Sequence, residues 1–194
     1  HVMARYSKKY LGTKMGVSSY NNVLNHFSFT GCLINNSDYE GDYTFEMAEH
    51  QNAPELKIDI LSTDKHGSNM VNYGLFDLTD RLLAPRIPRP HRETFWGFKD
   101  MQFDEDYIIK PKKFANEKLM CKEWNNAQRF VASLIIGDTP PNITIRKMAS
   151  KHYTSRTKRA FTHYNHLVRT EFLLLWVCRH IGRIVSFVFD LDRF

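Results

Sequence analysis

Apolar and polar residues alternate with period two in a series of short stretches, each followed by turn-forming residues. This feature constrains the chain most, because such alternation gives a strand one apolar face and gives a helix none. Phe27, Phe29, Gly31 and Leu33 alternate with Ser28, Thr30 and Cys32, and Asn35-Asn36-Ser37 closes the run. Tyr43 and Phe45 alternate with Thr44 and Glu46, and Leu56, Ile58 and Ile60 with Lys57 and Asp59, before the turn Asp64-Lys65-His66-Gly67. Ile143 and Ile145 alternate with Thr144 and Arg146, and strands are expected over 95–103, 107–109 and 161–166. The apolar run 172–178, a turn at His180-Ile181-Gly182-Arg183, and Val185, Phe187, Phe189 and Leu191 alternating with polar neighbours read as a hairpin.

Other patterns interrupt this series. Residues 73–83 predict one or two helical turns, stopped by Pro85, Pro88 and Pro90, whose spacing suits a stiff, extended crossing. One long helix is expected over 116–136, where Met120, Trp124, Ala127, Val131, Leu134 and Ile135 fall on one face and Gly137 to Pro141 stop it. About eight extended segments with one inserted helix predict an all-β sandwich or barrel.

The chain has 194 residues, enough for one well-buried core, so one domain is the default. A hydrophobic share of 42% and a charged share of 25% exclude a disordered tail or a coiled coil, and 14 Phe and 9 Tyr suit pleated, half-buried surfaces. The cysteines Cys32, Cys121 and Cys178 are odd in number and lie far apart, which argues against a disulfide framework or a four-cysteine zinc site and for a reducing compartment. No apolar run approaches the roughly 20 residues that span a bilayer, and no signal peptide opens the chain, so no membrane partner is expected.

Charge is unevenly distributed. Residues 38–80 carry ten acidic side chains against Lys57 and Lys65, a net −8. Residues 146–183 carry nine basic side chains against Glu171, a net +8. Two readings follow: opposed faces that drive head-to-tail self-assembly around a polyanion, or two surfaces that neutralise each other within one fold. Arg5, Lys8, Lys9 and Lys14 form a basic N-terminal arm. Arg146, Lys147, Lys151, Arg156, Lys158 and Arg159 are interleaved with His152, Tyr153 and Phe161, a combination that neutralises phosphates and offers aromatic faces to unpaired bases. These ten cations are the candidate nucleic-acid-binding residues.

Catalytic patterns are sparse. His163 and His166 would point to opposite faces of a strand and so would not share a metal with His180 and Cys178, and no metal or cofactor is expected. Asp42 with Glu55 and Lys57 resembles the carboxylate and Glu-X-Lys spacing of some metal-dependent nucleases, but Asn52-Ala53-Pro54 stands before Glu55 where an apolar strand would be needed.

The C-terminal third resembles the coat protein of geminiviruses and the related nuclear shuttle protein in an ordered series of blocks. These are Lys158-Arg159-Ala160-Phe161, Tyr164-Asn165-His166, Thr170-Glu171 running into the triple leucine Leu173-Leu174-Leu175 with Cys178 and His180 nearby, and Ser186-Phe187-Val188-Phe189-Asp190. Looser matches are Tyr73-Gly74-Leu75-Phe76-Asp77 and the stretches 27–33 and 92–99. The resemblance implies a single jelly-roll domain over 21–194 with the basic arm over 1–20. It implies a capsid subunit, or a nuclear carrier, that binds single-stranded DNA, with no enzymatic activity. A homo-oligomer forming a closed shell, located in the virion and the host nucleus, completes that expectation. As an alternative, 131–138 resembles the helix motif of LAGLIDADG homing endonucleases, which implies a metal-binding carboxylate at Asp138.

Overall fold

The computed structural model of the chain describes residues 5–6, 15–24, 26–35, 37–49, 58–103, 106 and 108–191, with residues 5, 6, 15 and 179–191 described by backbone alone. It begins with an antiparallel sheet of β1 (Arg5–Tyr6), β2 (Met15–Leu24) and β3 (Phe27–Asn35), in that order. Leu24 pairs with Phe27 across a two-residue connection, where His26 takes a left-handed φ of 71°. The division expected at residue 20 falls inside β2.

A 3-10 turn at Glu40–Asp42 leads into α1 (Thr44–Glu49). Next come β4 (Ile60–Thr63), α2 (Met70–Asp77) and β5 (Leu82–Pro85). β4 and β5 pair in parallel from Ile60 with Leu82 to Thr63 with Pro85. A parallel pair cannot be closed by a tight turn, so α2 carries the chain back across the sheet. Asn69 starts α2 by accepting a hydrogen bond from the Val71 amide.

After a short parallel pair, β6 (Trp96–Gly97) and β7 (Lys113–Phe114), the rest is helical: α3 (Glu117–Ile136), α4 (Pro141–Ala149) and α5 (Arg156–Leu191). Asn116 caps α3 through the Leu119 amide, and Gly137 ends it at a left-handed φ of 81°, a conformation that costs glycine nothing. Pro141 occupies the first turn of α4, where a missing N–H is harmless.

The core lies where α2, α3, α4 and α5 converge with α1 and β5. Phe45, Leu75, Phe76, Leu83, Leu134, Ile145 and Phe161 are all at most 2% exposed. Each such side chain contributes about 1.5–3 kcal/mol by leaving water. α5 packs on both α2 and α3. It approaches α2 closely at Gly74, whose amide donates to the buried Asn165 Oδ1 at 2.7 Å.

The all-β jelly roll is therefore wrong: the fold is mixed α/β, with five helices and small sheets among the described residues. The helix over 116–136 and the strand beginning at Phe27 are present. The stretches 44–46 and 143–146 are helical, Tyr43 lies in the turn before α1, and the expected strand 161–166 and hairpin 172–191 belong to one continuous helix, α5. The alternation was coincidental there. The pattern that buries α5 is Phe161, Tyr164, Val168, Phe172 and Trp176, at spacings of three and four. Of the expected strand 95–103 only Trp96–Gly97 is extended in a ladder. Leu56, Lys57 and Tyr107 lie outside the described residues.

Candidate active site

β4 along its whole length meets β2 across a groove of about 800 Å³. Its lining includes Tyr20 and Asn22 from β2, Glu40, and Asp59 and Asp64 at the two ends of β4. Asp64 follows the last strand residue, and its Oδ1 accepts hydrogen bonds from the His66 and Gly67 amides, both at 2.9 Å. These bonds fix the carboxylate at the carboxyl end of a parallel strand, the edge of an α/β sheet where ligands bind. Behind it, Thr44 donates to the Gly67 carbonyl at 2.6 Å and accepts from the Tyr20 hydroxyl at 3.4 Å, which ties the Asp64 turn to α1 and β2. Burial raises the pKa of the Tyr20 phenol, and the nearby charges of Glu40 and Asp64 raise it further. The groove thus has a negative field.

Six other carboxylates are occupied by the fold. Glu49 pairs with Arg81 at 2.6 Å, Glu93 with Arg169, and Asp77 accepts from the Tyr164 hydroxyl. Buried Glu123 accepts from Asn126 and Thr157, which hold its pKa below the usual carboxylate range. Asp42, at 3% exposure, accepts from Asn69 at 2.8 Å and Arg146 at 3.2 Å. Desolvation pushes the Asp42 pKa up despite those partners. Burial also works against the Asp38 carboxylate, but hydrogen bonds from Tyr43 and Asn35 and the Arg146 charge outweigh it and hold that pKa low. Asp42 thus serves packing, and its expected nuclease companions Glu55 and Lys57 lie outside the described residues.

The candidate nucleic-acid-binding cations are spread out. Arg5 lies in β1, while Lys8, Lys9 and Lys14 fall outside the described residues. Arg146 is held by Asp38 and Asp42, Arg156 lies 3.6 Å from Glu123, and Lys158 donates to the carbonyls of Ser150 and Tyr153. Lys147 sits over the Tyr153 ring at 5.0 Å, and its exposed side chain is joined at the surface by Lys151 and Arg159. His163 and His166 share a face of α5 and flank Trp96, with His166 stacked on it at 4.1 Å. No three His, Cys, Asp or Glu side chains converge to hold a metal ion among the described residues. No described helix is long and apolar enough to cross a membrane.

Residues 1–183 match the family model of the Tn3 transposase DDE domain. The chain belongs to the Tn3 transposase DDE domain family. It is 23% identical over 175 residues to the transposase for transposon gamma-delta of Escherichia coli (strain K12), an alignment that covers 88% of the chain. The chain spans 17% of the length of that relative. No solved structure matches it.

Membership of the Tn3 transposase DDE domain family overturns the geminivirus resemblance, and with it the capsid function, the non-enzymatic class and the virion and host-nucleus location. The blocks that carried the resemblance do meet, but as helix contacts: Asn165 with Gly74, Tyr164 with Asp77, and His166 with Trp96. The DNA-cutting alternative is nearer in class to this family, although α3 packs on α5 and Asp138 stands exposed beyond Gly137. In the sequence Asp64 stands out only as part of the turn Asp64-Lys65-His66-Gly67. The signal for it is the order strand, Asp64, tight turn, Asn69 cap and apolar helix, which sets a carboxylate at the carboxyl end of a parallel strand.

Proposed function

We propose that this chain is part of the catalytic domain of a DNA transposase and that Asp64 is one of the carboxylates acting on the scissile phosphodiester. The observation that carries this reading is the position of Asp64: pinned by two backbone amides at the carboxyl end of β4, beside a groove. The family description spells two aspartates and a glutamate, a set suited to in-line phosphoryl transfer because carboxylates hold the divalent ions that stabilise the attacking and leaving oxygens. Because no three such ligands converge among the described residues, Asp64 stands here as a single member of the set.

The contribution of Asp64 itself is orientation. Its Oδ1 is committed to the His66 and Gly67 amides, which fixes the direction of the second oxygen before substrate arrives, so little ordering remains for the reaction. DNA is the proposed partner, and exposed Lys147, Lys151 and Arg159 add phosphate contacts that carry affinity without reading sequence. Neither a preference for single strands nor assembly into a homo-oligomer is needed for this reading.

Asp64→Asn in the full-length protein tests it. The asparagine carbonyl still accepts both amides, so the turn is kept while the charge is lost. DNA strand cleavage should fall at least about 100-fold with DNA affinity unchanged; cleavage at the parental rate contradicts the assignment.

A further inference from the structure

Beside the acidic groove, around the same carboxyl ends of β4 and β5, lies a second cleft of about 390 Å³ whose charge is opposite. Lys65, Arg86, Arg89, Arg92 and Arg169 line it, against the single carboxylate of Glu93. Glu93 is occupied by Arg169, which is also placed over the Tyr73 ring at 5.9 Å. Lys65, Arg86, Arg89 and Arg92 are exposed, and none of the four forms an ion pair with a described residue. Four like charges around one cleft repel each other at a cost to the fold, and a bound polyanion relieves that repulsion.

The backbone holds these cations in place. The Arg86 amide donates to the Thr63 carbonyl at 2.8 Å, which anchors the start of the segment to β4. Pro85, Pro88 and Pro90 alternate with the arginines, and each fixes its own φ, so the segment loses little further freedom when a ligand arrives. Pro90 also opens the 3-10 turn Pro90–Arg92 that carries Arg92. A rigid row of arginines suits phosphate oxygens, which the guanidinium fork meets two at a time.

We infer that this cleft is a binding track for the phosphodiester backbone of DNA. Asp64 and Lys65 are consecutive, about 3.8 Å apart at Cα, so the track and the acidic groove share a rim. A strand held by Arg86, Arg89 and Arg92 passes next to Asp64, which places a phosphodiester at the carboxylate. The placement rests on the transposase reading, whereas the track requires only charge and geometry.

The test measures DNA affinity of the full-length protein as a function of salt. Arg86→Gln, Arg89→Gln and Arg92→Gln are made singly and together; all three side chains are exposed and unpaired among the described residues, and circular dichroism checks that each variant is folded. Each cation removed should lower the slope of log affinity against log salt by roughly one, and the triple variant should bind at least about 10-fold more weakly near 0.15 M salt. The exposed Lys118→Gln on α3 should leave both unchanged. A folded triple variant with parental affinity and slope overturns the track. The two readings separate cleanly: loss of affinity in the arginine variants alongside unimpaired cleavage by Asp64→Asn removes the catalytic assignment alone, and the reverse pattern removes the track alone.

Discussion

Arg146 bridges Asp38 at 3.4 Å and Asp42 at 3.2 Å, and this one side chain joins the acidic and basic stretches of the sequence. Asp42 is nearly inaccessible to water, so its charge depends on Arg146 and Asn69. Arg146→Ala leaves a buried carboxylate without a cation and should lower stability by about 1–3 kcal/mol in urea unfolding, with DNA affinity changed little. His166 is a second residue whose environment sets its chemistry. Desolvation against Trp96, with the charges of Arg169, His163 and Lys113, lowers its pKa to about 4. Since the folded pKa lies below the unfolded value near 6.5, the unfolded chain binds the proton more readily. Stability is therefore full above about pH 6.5 and is lost as pH falls toward 4, by about 1–2 kcal/mol after allowance for solvent screening of this half-buried ring. His163 is shifted the same way, by burial first and then by Arg159. Replacing His166 with Phe keeps a ring on Trp96 and should flatten this part of the pH profile; an unchanged profile in urea titrations at pH 7 and pH 4.5 contradicts the role given to His166.

Between elements, α2 and α5 fit closely in the core at Gly74. A Cβ at Gly74 would lie 2.5 Å from Asn165 Oδ1 and 2.9 Å from a Tyr164 ring carbon, and Asn165 is itself 1% exposed. Gly74→Ala should cost about 1–3 kcal/mol despite the better helix propensity of alanine, and a neutral or stabilising result in thermal unfolding contradicts this packing. Legibility depended on a repeating pattern bounded by clear start and stop residues. α3 could be read because six apolar positions recur between a capping Asn116 and a terminating Gly137. β3 could be read because its alternation is closed by the turn-forming Asn35-Asn36-Ser37, whereas the equally long alternation over 185–191 lies within α5. α1 and α4 could not, since each is under ten residues long and two alternating apolar side chains mimic a strand. α5 is the largest miss: β-branched and aromatic residues suggested extended structure, while the packing that decides the matter comes from α2 and α3, remote in sequence. The site was hidden for a related reason. Asp64 sat in a recognised turn and the arginines in a recognised proline crossing, but only the parallel pairing of β4 with β5 brings the two together.

Across the whole molecule, the opposed net charges of 38–80 and 146–183 are in part neutralised internally, through Arg146, rather than displayed as two assembly faces. What remains outward is more local: an acidic groove and a basic cleft on either side of the carboxyl ends of β4 and β5. That pairing suits a phosphodiester, whose backbone needs cations for binding and whose reacting group needs carboxylates for chemistry. The central claim is that Asp64 is one of the carboxylates that act on DNA and that Asp138, exposed beyond α3, is not. The direct measurement is single-turnover cleavage of transposon-end DNA by the full-length protein carrying Asp64→Asn, Asp59→Asn, Glu40→Gln or Asp138→Asn, one at a time, with affinity measured in parallel. Cleavage lost at least about 100-fold in Asp64→Asn at parental affinity, with Asp138→Asn unimpaired, is the predicted result; parental cleavage in Asp64→Asn contradicts the account.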